Sequence, residues 1–206
     1  MKLHYLVGIT FGITMLSGAA IAASPPPPAA AGNPVGCASP VGPGDSAATL
    51  LRRFAGNARK QTVPGAEGET AQALVLYPRD PLRRIEVLFS DDQMLHSSSI
   101  TLRAARSVWT VAGLHISDRI EQVTQRNARG FALTGFEWDY AGSVIDLKGG
   151  ALSRLPGGCT VTIRFSPPAT ATSTPEALMG DTRLESTNPA LRRLRPVVTE
   201  LSLNWR

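Results

Sequence analysis

The sequence predicts an α+β domain in which a few short helices pack on a mainly antiparallel sheet. Three observations carry this. Short runs alternate apolar and polar residues, as in Ile85, Val87, Phe89 and in Val161, Ile163, Phe165, which is the period of a half-buried strand. Turn chemistry separates the runs, with Pro78-Arg79-Asp80-Pro81 and Gly149-Gly150 as the clearest cases. Finally, two short helical stripes each open on capping residues, and each is followed by strand signals.

The chain opens MKLHYLVGITFGITMLSGAAIAA. Lys2, an apolar run and the small-residue box Ala20-Ile21-Ala22 predict a secretory signal peptide over residues 1–22. A retained anchor is the alternative, but the apolar run is short and no stop-transfer charges follow. No cysteine follows the box, so a lipid anchor is not expected. Export points to a periplasmic or secreted protein, with no stable membrane span after cleavage. Residues 23–45 are rich in Pro, Ala and Gly. With Pro25 to Pro28 in a row they read as a spacer, so a single domain is expected over 46–206.

That domain reads as one plan run twice, in half-units of about 46–112 and 113–206. Asp45-Ser46 cap a stripe of Leu50, Leu51 and Phe54, which ends near Gly56-Asn57-Ala58-Arg59. Strands are expected at 71–77, at 85–89 and within 99–112. Ser117-Asp118 then cap a stripe of Ile120, Val123 and Thr124, closed by Asn127-Ala128-Arg129-Gly130. Strands follow at 131–140, 143–147 and 159–165. Residues 166–189 read as a polar, mobile loop. Pro189–Leu194 allow one helical turn before Pro196. A final strand would put Val197, Thr199, Leu201, Leu203 and Trp205 on one face.

Residues 113–144 resemble a group of uncharacterised exported bacterial proteins with the pattern G-L-x-I/V, N-G-x-x-F and G-F-x-W-D-Y-x-G. Gly113, Leu114, Ile116, Asn127, Phe131, Gly135, Phe136, Trp138, Asp139, Tyr140 and Gly142 carry it. GAEGE at 65–69 and YPRDP at 77–81 are similar to the group's first half, and Ala128 departs from its usual glycine. The group implies no activity. The helix-then-sheet plan is also similar in outline to the outer-membrane assembly lipoprotein family and to β-lactamase inhibitor proteins, a likeness of architecture that does not carry function.

Chemistry is sparse. The two cysteines, Cys37 and Cys159, are expected to form a disulfide in an oxidising compartment, with two independent thiols as the alternative. Of three histidines, only His96 and His115 survive cleavage, and their spacing is not that of a zinc site. No nucleophile elbow or phosphate loop occurs, so no metal or cofactor is expected. The formal charge of +5 is spread along the chain, and export argues against nucleic acid. Its carriers are nearly all arginine, which suits phosphate or carboxylate, although genome composition accounts for such a bias too. Glu137 and Asp139 are the minority catalytic candidates. On one strand face they would lie roughly 6.5–7 Å apart, within the range of glycosidase carboxylate pairs. Against this, alternation places Phe136, Trp138 and Tyr140 on the opposite face. Phe136 and Trp138 are expected in the core, with Tyr140 and Trp205 more open for binding. Glu67, Glu69 and Asp80, with Arg79, Arg83 and Arg84, are candidates for a polar recognition rim, and solvated turns explain them equally well. The leading expectation is a non-enzymatic exported module that binds a protein or cell-envelope component. The alternative is a glycan hydrolase using Glu137 and Asp139.

Overall fold

The computed structural model describes residue 1 and residues 32–65 and 68–205. Apart from Met1, the expected signal peptide lies outside the described residues, as do residues 23–31 of the spacer and Glu67 of the rim. The domain is α+β, with short helices and mainly antiparallel sheets.

Helix α1 (Ala47–Arg53) starts where the caps place it, with the Ser46 hydroxyl accepting from the Thr49 N–H at 3.1 Å. It buries Ala47 and Leu50, whereas Leu51 points outward. Gly56, at φ +76, turns the chain into β2 (Ala58–Pro64). This strand escapes the sequence pattern because Val63 is its one buried side chain. β3 (Thr70–Leu76), β4 (Ile85–Phe89) and β5 (Ser97–Leu102) complete a meander, and β6 (Trp109–Val111) follows. Helix α2 (Ile120–Asn127) buries Ile120, Val123 and Asn127. It begins one residue after the expected caps, since Asp118 instead accepts from the His115 N–H at 2.8 Å and from Gln122 Nε2 at 3.2 Å. The remaining elements are β7 (Ala132–Thr134), β8 (Val144–Asp146), β9 (Thr160–Ser166), β10 (Arg183–Glu185), α3 (Pro189–Leu194) and β11 (Val197–Asn204).

The large sheet has the antiparallel order β2-β3-β4-β5-β11-β9. A small antiparallel sheet runs β10-β7-β8. One face of the large sheet supplies Leu74, Leu76, Ile85, Val87, Ile100, Leu102, Ile163 and Leu201 to the main core. The helices and the small sheet complete that core through residues such as Leu50, Val123, Leu133 and Leu191. Phe131, Phe136 and Phe165 are fully buried there, and Phe131 stacks on Phe165 at 5.8 Å. Each such ring contributes about 1.5–3 kcal/mol by leaving water.

Four expectations need correction. Residues 33–41, expected to belong to the spacer, already take part in the fold. Residues 33–35 form β1 (Asn33–Val35), paired in parallel with β6, and Val35, Cys37 and Val41 are buried. The expected strand at 131–140 stops at Thr134. Gly135 is pressed against the Leu178 and Gly180 carbonyls, and Phe136 exchanges backbone hydrogen bonds with Leu178 and Gly180 at 2.8 Å. The 166–189 segment is therefore not simply a polar loop: it contains a 3-10 turn at Glu176–Leu178, with Leu178 fully buried, and then β10. In β11, a bulge at Thr199 shifts the register, so the core face reads Val198, Leu201 and Leu203.

Cys37 and Cys159 form a disulfide, with Cα atoms 5.4 Å apart and a sequence separation of 122. It joins the N-terminal segment to the entrance of β9. Among the described residues no helix is long and apolar enough to cross a membrane.

Candidate functional site

The face of the large sheet turned away from the core is built from the other half of each alternation. Across four strands its rows read Glu86, Thr101, Ser202, Thr162 and then Leu88, Ser99, Asn204, Thr160. Strand geometry explains this directly: Ile100 and Leu102 point inward, so Ser99 and Thr101 point outward. The result is a floor of hydroxyl groups. Thr101 and Ser202 hydrogen-bond to each other at 2.9 Å, and Asn204 Nδ2 donates to the Thr162 hydroxyl at 3.0 Å.

Pro64, Gly65 and Gly68, where β2 leads towards β3, stand at one side of this floor, and residues 138–143 stand at the other. Between them lies a groove of about 550 Å³. The second wall is held firmly. Arg164 on β9 donates to the Ala141 and Asp139 carbonyls at 2.9 and 2.6 Å. The Thr134 hydroxyl donates to the Tyr140 carbonyl at 2.6 Å, and the Trp138 indole N–H donates to the Gly135 carbonyl at 3.1 Å. Trp138 and Tyr140 meet edge to face at 5.6 Å. The wall is thus a pre-formed aromatic corner beside a polar floor.

Among the described residues that line the groove, charge is balanced. Arg103 and Arg164 line it together with Asp139 and Glu200. Arg103 binds Glu86 at 3.1 Å and Glu200 at 2.5 Å, while Arg84 binds Glu86 at 3.1 Å. Glu86 is 5% exposed, and two guanidinium partners offset the cost of burying its charge.

The structure separates the sequence-predicted residues. Asp139 and Tyr140 line the groove, and Tyr140 is 47% exposed. Glu137 does not line it. It sits in a left-handed turn at φ +64 and accepts from the Thr174 hydroxyl at 2.8 Å. Glu137 and Asp139 therefore do not share a strand face, and the spacing argument for a carboxylate pair no longer applies. Phe136 is in the core as expected, but Trp138 is only half-buried and serves the groove wall. Trp205, expected as an open ring, packs partly buried against the core, and its indole N–H donates to the Cys37 carbonyl at 2.7 Å. On the rim, Asp80 pairs with Arg83 at 2.7 Å and Arg83 lies over Tyr77, away from the groove. Among the described residues no group of three or more His, Cys, Asp or Glu is arranged to hold a metal ion.

Sequence reasoning missed the hydroxyl floor. Its signal was present in SSSITL and TVTIRF, where the polar partners of the apolar residues are mostly Ser and Thr rather than charged side chains. The aromatic pattern residues also gain a structural reason. A side chain at Gly142 would meet the Phe165 carbonyl at 2.0 Å, so glycine lets the wall close onto β9. No family model matches the chain, and no curated protein or solved structure matches it.

Proposed function

We propose that this chain is an exported, non-enzymatic module that binds a cell-envelope component, and that the ligand is an uncharged glycan segment held in the sheet groove. The observation that carries this reading is the pairing of the Trp138–Tyr140 corner with the hydroxyl floor. A sugar ring has an apolar face that suits an aromatic wall. Its hydroxyls both donate and accept, as Ser, Thr and Asn side chains do. Balanced charge disfavours a strongly ionic ligand in the same groove. The disulfide and the lack of a membrane-crossing helix among the described residues are compatible with export.

The test is titration of the protein with soluble cell-wall glycan fragments, followed by NMR. Trp138→Ala with Tyr140→Ala should weaken binding by roughly tenfold or more. Unchanged affinity in that variant would overturn the groove as the site. Glu137→Gln with Asp139→Asn should release no less product than wild type, because neither chain cleaves glycan. Hydrolysis by the wild type that this variant loses would replace the module with the hydrolase.

A further inference from the structure

A second concavity, of about 470 Å³, lies where α3 leads into β11 beside the 168–173 loop. It differs from the groove in sign. Arg119, Arg193 and Arg195 line it, and among the described residues no acidic side chain does. All three are exposed, and among the described residues none of them pairs with a carboxylate. The nearby acid Glu121 is taken by Arg192, at 3.8 Å, which does not line the concavity. Gathering three like charges around one hollow is unfavourable in the free protein, and an anion relieves it.

The backbone fixes the cationic wall. An antiparallel bridge joins Arg119 to Val197, and the Val198 N–H donates to the Asp118 carbonyl at 2.8 Å. Arg195 closes α3 in the left-handed conformation, at φ +56, a position that usually favours glycine. The sequence keeps a long cationic side chain there despite that cost. Thr170, Thr172 and Ser173 face the same hollow and add hydroxyl donors.

We propose that this basin binds a phosphoryl group, as a terminal phosphate monoester. Planar guanidinium forks match pairs of phosphate oxygens. A monoester carries about −1.5 to −2 charges at neutral pH, which three arginines balance better than they would a single carboxylate. The hydroxyls supply donors to the remaining oxygen. The same group occurs on a phosphorylated lipid headgroup and on a soluble phosphorylated sugar. This assignment is independent of the groove, which shares none of these residues.

Calorimetric titration of the full chain with inorganic phosphate and pyrophosphate at low ionic strength tests it. Saturable binding is expected, weakened by salt. Arg193→Gln should weaken it roughly tenfold, Arg119→Gln with Arg193→Gln should abolish it, and Arg192→Gln should leave it intact. Should the double variant not keep the wild-type unfolding midpoint, Arg193→Gln alone decides. Equal binding by wild type and R193Q overturns the proposal, as does acetate binding as tight as phosphate. Cosedimentation with phosphatidic acid vesicles, absent in R193Q and competed by pyrophosphate, would identify a lipid headgroup. Phosphate binding without cosedimentation would identify a soluble monoester, and absence of both refutes the basin.

Discussion

The two halves of the domain each carry a short helix followed by strands, yet the strands assemble differently. In the first, α1 is followed by β2, β3, β4 and β5, which lie side by side in chain order. In the second, α2 is followed by strands that part company: β7 and β8 join β10 in the small sheet, while β9 and β11 extend the first half's sheet. The first half is therefore a platform of local pairings. The second completes that platform and spends its remaining chain on walls. Trp138, Asp139, Tyr140 and Arg164 at the groove, and Arg119, Arg193 and Arg195 at the basin, all come from it. A half built from non-local connections depends more on its staples and tight approaches than a meander does.

The largest test of that dependence is the disulfide. Its closed loop spans 122 residues, for which the chain-entropy account gives roughly 5 kcal/mol. Cys37→Ser with Cys159→Ser should lower the unfolding free energy by about that amount in a denaturant titration. Amides of β1 and β9 should lose hydrogen-exchange protection before those of β3 and β4. A loss below about 1 kcal/mol, or loss of protection in the meander first, would break the distinction between platform and stapled half.

A pair of glycines sharpens it. Gly56 in the first half and Gly142 in the second both have positive φ, +76 and +66. Nothing lies within 4 Å of where a side chain at Gly56 would stand, whereas at Gly142 it would meet the Phe165 carbonyl at 2.0 Å and the Phe136 ring at 2.9 Å. Gly56→Ala should therefore cost only the backbone term, about 1 kcal/mol. Gly142→Ala should cost about 3 kcal/mol or more, because strain and overpacking add. Equal midpoint shifts in thermal unfolding would remove the contrast.

The same division governs what the sequence made legible. Where one face of a strand is core and pairing is local, alternation was enough: Ile85, Val87, Ile100 and Leu102 all point inward as the pattern requires. β2 failed that test only because it is an edge strand with one buried side chain. In the second half, tertiary approach overrode the local pattern. GFALTGFEWDY reads as one long strand, yet close contact of Gly135 with the 178–180 backbone ends it, and Glu137 turns left-handed. Likewise, nothing in VVTELSLNW announces the bulge that puts Val198, and not Thr199, in the core. The disulfide was readable from cysteine count and compartment. The groove was half-readable, since Tyr140 and Asp139 were candidates while its Ser and Thr floor was overlooked. The arginine basin was not readable, because Arg119, Arg193 and Arg195 converge only once Arg119 pairs with Val197.

The smallest test concerns the entrance to the first half. Burial works to raise the Asp45 carboxyl, but Arg53 and the Gly42 N–H outweigh it, so it lies below the usual carboxylate value of 3.8. Arg53 contacts both carboxylate oxygens, at 2.7 and 2.9 Å. A depressed carboxyl stabilises the fold above its unfolded-state value and loses that contribution as pH falls through its folded value. Asp45→Asn should therefore be less stable than wild type at neutral pH. Because Arg53 is nearly half exposed, the difference should stay within about 1 kcal/mol after solvent screening. It should shrink below pH of about 4 and vanish once Asp45 itself is protonated. Acid sensitivity would persist in the variant, since Asp146 in the second half is also held low, first by the Lys148 N–H and then by Arg183. A wild-type advantage that grew on acidification would show that the Asp45–Arg53 pair does not secure α1 in the way its geometry implies.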